Sequence, residues 1–436
     1  MLQKIRNKSF WFVDLLTGSK KKSNFEDIKT ILTDGSSDES KKRKQQYLEK
    51  ILSHAIHTVP FYRDKNPQLT SFPVINKNLI RKKKSEFEST AYIDKEKITV
   101  CTSGSTGTPF KVCQNKNKRI RTVADNLFFW QKASFSVGDK LYFFRLWNAF
   151  EKKNFLTRFT QNVVPIDVFE LSDDFIAALL KDIQKRKKKP SLLGYVSAFT
   201  KICKYLDRTD TGFKSNDVKS IITISEKLDA YTKKSITKYF GIHAISRYSN
   251  LENGIIAQQP AGESYFIINH ASYHVEILDI DTDQPVEKGT IGRIIVTDFF
   301  NYCMPMIRYD TGDLGSIDTV QGKEVLTHIE GRKIDTIKNT RGEIIIFNVV
   351  LIVNKYQELK QCQLIQRDTK EYVFKLNSET TFLREEEFLI EFRSYLGDDA
   401  VLSIEYVDEI PLLASGKRRM VVNEMEQSKN MKVLNY

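Results

Sequence analysis

SLLGYVSAFTKICKYLDR, residues 191–208, changes period in its middle. Residues 191–196 are a short apolar run, which reads as a strand; from Ser197 the spacing reads as a helix. Upstream, LSDDFIAALLKDIQKRKKKP (171–190) reads as another helix. Ser172 can cap it, Asp173 and Asp174 suit its positive end, and Pro190 lies past its basic end. Phe175, Ile176, Leu179, Leu180 and Ile183 give it one apolar face. Downstream, SIITIS (220–225) reads as a strand, KLDAYTKKSITKYF as a helix stopped by Gly241, and HAISRYS (243–249) as a strand. Strand, helix, strand in this order predicts parallel strands with helices on the faces. Ligands in such sheets bind at the carboxyl ends of the strands. That places Ser225–Glu226 and Tyr248–Glu252 near one rim.

From about residue 264 the pattern shifts to SYFIINH, YHVEILDI and GRIIVTDF, separated by polar turns such as DTDQPVEKGTIG. This predicts antiparallel strands. Beyond the polar stretch EGRKIDTIKNTRG come EYVFKLN (strand), REEEFLIEFRSYLG (helix) and AVLSIEYV (strand). The expected class is α/β. A large N-terminal domain, 1–331, would hold mixed, mainly parallel sheets with flanking helices and a small antiparallel β section. A small α+β C-terminal domain would follow at 332–436.

The totals set limits. A chain of 436 residues, 41% hydrophobic and 28% charged, has room for two or three domains and a sizeable core. The formal charge of +13 gathers in runs such as KKK (20–22), KKRK (41–44), RKKK (81–84) and KRKKK (185–189). Such runs can follow phosphates or an anionic membrane, but more often they are solvated faces. With no zinc-finger spacing or single-strand-binding signature beside them, a nucleic-acid partner is not expected. The five cysteines contain no CxxC pair, which argues against a zinc site or disulfide framework and fits a reducing, cytoplasmic setting. No apolar run is long enough to span a bilayer. The apolar patch Phe10–Leu16 reads as part of a first helix packed on the body, with a membrane-surface contact as the minority reading.

CTSGSTGTPFKV (101–112) follows a strand-like ITVC. Its glycines and hydroxyls can converge donors on an anion. Taken alone such a loop is more often a plain connection between strands, and Pro109 sits where a P-loop would need its second glycine. Further on come ISRYSNLENG (245–254), RYDTGDLG (308–315), IEGRKIDTIKNTRG (329–342) and LLASGKRR (412–419). With the loop, in this order, they resemble the adenylate-forming enzymes: acyl-CoA synthetases, luciferases and nonribosomal peptide adenylation domains. AIHTVPFYRDK (55–65), FPVINKNLIRKKKSEF (72–87) and TSGSTGTPFKV (102–112) narrow the resemblance to the phenylacetate–CoA ligase and CapK-like branch. It covers roughly residues 45–425.

The resemblance implies roles. Thr102, Ser103, Gly104, Ser105, Thr106 and Gly107 would hold the ATP β- and γ-phosphates, with Ser103, Ser105 and Thr106 foremost. Phe110 stands where the family often has a lysine, and Lys111 comes one later. Tyr248 and Ser249 would lie against adenine, with Ser225 and Glu226 as a second adenine segment. Glu252 would be the Mg²⁺ carboxylate; read alone, it is also a helix-start carboxylate. Asp313 would accept the ribose hydroxyls, although DTGD by itself is also a surface turn. Arg332 would face ribose or phosphate beside a hinge at Lys333, Ile334 and Asp335. Lys417 would be the catalytic cation, reaching the α-phosphate and the substrate carboxylate while a mobile C-terminal domain turns about the hinge. Trp147, Tyr195 and Phe199 read either as a pocket for an apolar or aromatic acid or as plain core.

The implied activity is a ligase using ATP, Mg²⁺ and a small-molecule carboxylate, with acyl transfer to coenzyme A. A carrier-protein thiol, or an amine or hydroxyl of a saccharide or other biosynthetic intermediate, is the alternative acceptor. A catalytically degenerate nucleotide binder is a third reading, and a homodimer is compatible with all three.

Overall fold

The computed structural model describes residues 2–102, 110–145, 147, 155–209, 213, 217–332, 337–342, 344–345, 356, 358–378, 381–411 and 421–425. Two compact units emerge. One holds Met1–Leu228 and Thr232–Ile329; the other holds Glu330–Tyr436 with the short piece Asp229–Tyr231.

In the first unit, β1 (Ile98–Thr102) and β2 (Phe110–Gln114) form an antiparallel pair of their own. Then come β3 (Leu141–Arg145), β4 (Val163–Asp167), β5 (Ser191–Tyr195), β6 (Ser220–Ile224) and β7 (Ile245–Asn250). These five lie in the order β4-β3-β5-β6-β7 and pair in parallel throughout. Every residue of β5 is buried, as a central parallel strand requires. Gly194 lets β3 approach, because a Cβ there would sit 2.5 Å from the Phe144 Cβ. The helices read from the sequence frame these strands. Helix Asp173–Gln184 starts under the Ser172 cap, whose Oγ accepts from the Phe175 N–H at 3.3 Å. Helix Val196–Thr209 follows β5 directly and buries Val196, Phe199, Ile202, Cys203 and Leu206.

β8 (Gly254–Gln258) pairs antiparallel with β7, and the order β8-β9-β13-β12-β11-β10 completes the sheet. Here β9 is Phe266–Ile268, β10 Tyr273–Leu278, β11 Gly292–Asp298, β12 Tyr309–Val320 and β13 Lys323–Arg332. The expected antiparallel strands are present in this unit. They extend the parallel block into one eleven-stranded sheet.

In the second unit, β14 (Ile337–Lys338) and β15 (Ile344–Ile345) pair, and β16 (Leu359–Gln366), β17 (Glu371–Ser378), β18 (Val401–Tyr406) and β19 (Val421–Asn423) form a sheet in the order β18-β17-β16-β19. Helix Glu385–Leu396 covers it, with Phe388, Phe392 and Leu396 packed in one cluster with Tyr372, Phe374 and Leu376.

Two helices were only partly legible. The first, Leu2–Leu16, packs on the body: Asn7 Nδ2 donates to the Val137 carbonyl, and buried Asp14 accepts from the Lys21 and Lys22 N–H groups, capping the next helix. It leaves Leu2, Phe12, Val13 and Leu16 exposed. The second, Lys116–Lys132, carries charged residues on its buried side. Lys118 is fully buried, 2.5 Å from Asp298 Oδ2 and 3.0 Å from the Tyr273 hydroxyl. Arg121 donates to Ser272 Oγ, Asp27 Oδ2 and the Ala271 carbonyl. Removing one member of a buried ion pair strands the other charge. Lys118→Met should therefore lower stability by about 3–5 kcal/mol, and adding Asp298→Leu should restore most of it. Urea unfolding followed by circular dichroism measures both.

Candidate active site

Residues 72–77 lie beside the start of β12. The Ile75 N–H donates to the Arg308 carbonyl at 3.0 Å, and the Asp310 N–H donates to the Ile75 carbonyl at 2.8 Å. Arg308 holds this corner at φ 50, in the left-handed region that non-glycine residues seldom adopt. Its N–H donates to Thr297 Oγ1, Nη1 donates to the Phe72 carbonyl, and the guanidinium pairs with Glu276 at 3.3 Å. This staple brings Lys77 and Tyr309 onto one carboxylate. Glu252, 1% exposed, has Lys77 Nζ at 2.6 Å and receives the Tyr309 hydroxyl at 2.9 Å, both on Oε1. The Glu252 carbonyl accepts from Gln114 Nε2 at the end of β2. Burial and the neighbouring Glu252 push the Tyr309 phenol well up, which keeps it a donor. Phe110, where the family often has lysine, is a core ring lying under Lys77 and Arg81, and Lys111 is exposed.

The adenine and ribose candidates also meet. Gly312, at φ 81, bends β12 so that its N–H donates to Asp310 Oδ1. Thr311 Oγ1 accepts from the Asp313 N–H. The Tyr248 hydroxyl donates to Asp313 Oδ2 at 2.8 Å and lies 3.2 Å from Thr311 Oγ1. Burial first, and then Asp313, push the Tyr248 phenol well up, so it holds its proton. A bulge between Tyr248 and Ser249 in the pairing with β8 re-aims the end of β7. Ser225, directly after β6, has φ 70 and is a second non-glycine residue in the left-handed region. Glu226 plays a structural part, for its carboxylate accepts from Ser197 N (2.7 Å) and Oγ (3.1 Å) and so caps helix Val196–Thr209.

The three aromatic candidates do not line one pocket. Trp147 packs edge-on to Phe143, donates Nε1 to the Phe143 carbonyl and lies under Arg145. Tyr195 ends β5 on that same sheet face, because its strand-mate Leu193 pairs with Phe143. Phe199 packs instead on Phe144, on the opposite face, and is core.

Of the other candidates, Ser103, Gly104, Ser105, Thr106, Gly107, Lys333, Ile334, Asp335 and Lys417 lie outside the described residues. Thr102 and Arg332 are described only as strand ends. Among the described residues no group of three or more His, Cys, Asp or Glu could hold a metal by itself. Mg²⁺ bound mainly through phosphate oxygens needs one protein carboxylate, and Glu252 fits that requirement, since Lys77 and Tyr309 both engage Oε1. The sequence reading missed the roles of Lys77, Tyr309 and Gln114. Lys77 was visible as the lysine of FPVINK, but its partner is 175 positions away along the chain.

Residues 336–424 match the CapK C-terminal domain family. Protein CapK of Staphylococcus aureus is 23% identical over 385 residues, covering 82% of this chain and 81% of that protein. The crystal structure of 2-hydroxyisobutyryl-CoA ligase in the postadenylation state, in complex with R3-HIB-AMP, aligns with a TM-score of 0.66 at 15% identity, covering 92% of this chain and 93% of that one. ATP-bound MatB from Rhodopseudomonas palustris aligns at 0.54 and 15%, covering 78% and 68%. The chain has the fold of the adenylate-forming enzymes. Within that fold it resembles the CapK-like branch, through its C-terminal match and through CapK itself.

Lys77→Met would leave the buried Glu252 carboxylate with the Tyr309 phenol in place of a cation. A stability loss of about 2–4 kcal/mol is expected, less than for a fully buried pair because Lys77 is partly exposed, and Lys77→Arg should recover part of it. Thermal unfolding of the three proteins measures this.

Proposed function

We propose that this chain is an AMP-forming carboxylate ligase. A substrate carboxylate oxygen attacks the ATP α-phosphorus, the bond to the β-phosphate oxygen breaks, and pyrophosphate leaves. An acceptor nucleophile then attacks the acyl carbon, loses its proton, and AMP departs. The observation that carries the reading is the convergence of three separate motifs on two carboxylates: Asp313, bound by Tyr248, and Glu252, bound by Tyr309 and Lys77. In this reading Asp313, oriented by Tyr248, accepts the ribose hydroxyls. Thr102–Gly107 hold the departing phosphates through backbone and hydroxyl donors. Glu252 is the residue that would hold Mg²⁺, which neutralises phosphate charge when bound. Lys417 places a cation where an anionic nucleophile meets an anionic phosphoryl group. Residues 332–335 serve as the hinge about which the C-terminal unit turns between the two half-reactions.

The acceptor we propose is the thiol of coenzyme A, in keeping with the CoA ligases among the aligned structures. The CapK match supports a second reading, in which the acceptor is a carrier-protein thiol or an amine or hydroxyl of a saccharide or other biosynthetic intermediate.

ATP–pyrophosphate exchange against a panel of carboxylic acids tests adenylation. Exchange with none of them, while ATP still binds, would favour a non-catalytic nucleotide binder. Lys417→Ala should cut exchange by about 100-fold or more while ATP affinity holds. Asp313→Ala should weaken ATP binding by about 10- to 100-fold, as loss of charged hydrogen bonds predicts. Calorimetric titration reads the second effect, and an unchanged affinity would remove Asp313 from the ribose site.

A further inference from the structure

At the carboxyl ends of the parallel strands one sheet face changes character within a single residue step. The inner row on this face is Pro165, Phe143, Leu193, Ile222 and Ile245, neighbours in register across β4, β3, β5, β6 and β7. It is apolar throughout. Two residues further along each strand, back on the same face, stand Asp167, Arg145, Tyr195, Ile224 and Arg247, and Arg247 pairs across to Gln258 on β8. The inner row is core, with Leu193, Ile222 and Ile245 packed in one cluster with Ala133 and Phe135, and the outer row, polar except for Ile224, stands at the edge where open parallel sheets bind ligands.

Arg247 is the anomalous member. It is 6% exposed. Nε donates to Gln258 Oε1 at 2.8 Å, and Gln258 is itself fixed by donating Nε2 to the Phe129 carbonyl. Among the described residues, Nη2 is buried without a hydrogen-bond partner. No carboxylate of those residues is close enough to form an ion pair with it, and burial alone pulls the guanidinium down to about 9. The other buried arginines of the described residues behave differently: Arg121 pairs with Asp27, and Arg308 pairs with Glu276. The indole Nε1 of Trp130, packed on the same apolar cluster, is also buried without an acceptor among them.

A buried guanidinium with no counter-charge costs stability, and residues kept at such a cost are concentrated at functional sites. Its planar fork matches a carboxylate or a phosphate with two parallel hydrogen bonds. The partner is not the nucleotide's ribose, because Tyr248, the next residue of β7, carries Asp313 on the opposite face. Nor does the reacting carboxylate suit it, because a bidentate guanidinium would occupy both of its oxygens, one of which must attack phosphorus. Resting on the adenylation reading above, we infer that the acid this chain activates carries a second anionic group, a carboxylate or a phosphate ester, which Arg247 receives at the carboxyl-end rim of the sheet.

The test uses the full chain with succinate, glutarate and phosphoglycolate, against monomethyl succinate, monomethyl glutarate and glycolate. In ATP–pyrophosphate exchange the doubly anionic acids should show kcat/KM at least about tenfold higher than their singly charged counterparts. Arg247→Leu should erase that gap and leave the singly charged acids within about twofold. Succinate and phosphoglycolate distinguish a carboxylate from a phosphate as the preferred group. Equal rates for both classes in the wild type, or a gap that survives in Arg247→Leu, overturn the proposal. Exchange with no acid counts against the adenylation reading, and the subsite is then decided by calorimetric titration of the same acids. Doubly anionic acids bound by wild type and lost in Arg247→Leu uphold it; no binding, or equal binding to both proteins, overturns it. Arg247→Leu removes a buried cation but also leaves the buried Gln258 Oε1 without its donor, so its melting temperature is compared with that of Gln258→Leu, which loses the same hydrogen bond. A fall well beyond that of Gln258→Leu marks a structural arginine and overturns the proposal.

Discussion

A carboxylate taken out of water needs a cation beside it, and Glu252 takes Lys77. That single pair sets more of the first unit than its two residues suggest. Lys77 can reach Glu252 because residues 72–77 run along β12, and they do so because Arg308 binds the Phe72 carbonyl and its own carbonyl receives the Ile75 N–H. Tyr309, the next residue, then falls on the same carboxylate. Gln114 closes the arrangement from β2 by binding the Glu252 carbonyl. The FPVINK segment, the residues just past the end of β7 and the start of β12 are thereby tied to one buried carboxylate. Loosening the pair would loosen three motifs together, which is why a substitution at Lys77 is first a structural event and only then a chemical one.

The second organising feature is β7, the strand where the sheet changes from parallel to antiparallel pairing. Side chains alternate along a strand, so Arg247 and Tyr248 leave it toward opposite faces. Tyr248 meets Asp313 on one face, while Arg247 reaches Gln258 of β8 on the other. Two residues with left-handed backbone, Ser225 and Arg308, stand at the strand termini around it. Strain of this kind persists where surrounding contacts over-determine it. Arg308 shows how: five of its polar groups are engaged, its N–H, carbonyl, Nε, Nη1 and Nη2.

How far the sequence could be read depended on where the apolar residues fall. Helix Asp173–Gln184 and strands β5 to β7 were legible because burial there follows hydrophobic periodicity and the caps are of the usual type. Helix Lys116–Lys132 was not, because Lys118, Arg121 and Asp125 occupy its buried side and no apolar stripe shows. Its partners lie on β10, β11, the loop between β9 and β10, and the helix Lys20–Thr33, between 94 and 180 positions away, beyond any local pattern. Phe199 failed in a different way. Its residue type was right for either a pocket or core, and only strand register decided that it lies with Phe144 and not with Phe143. Glu226 sits in the expected segment, yet the segment says nothing of Ser197, whose N–H and hydroxyl claim that carboxylate.

The charge total points the same way. The chain's +13 suggests a surface for polyanions, yet residues 185–189 are all exposed, and Lys20, Lys22, Lys41 and Lys42 are exposed as well. Exposed charges are screened within about a Debye length of roughly 8–10 Å and contribute little to recognition one by one. Cations inside the fold act where the dielectric is low, and there each needs a specific partner. Lys118 has Asp298, Arg121 has Asp27, Arg308 has Glu276, and Lys77 reaches inward to Glu252. Once these pairs are set aside, the net charge of the chain carries no information about its ligand, whereas one interior guanidinium without an ion-pair partner among the described residues carries a good deal. A chemistry that joins one anion to another would gain from such economy, since a field of loose cations would bind ATP and acid alike without orienting either, while a few fixed ones discriminate.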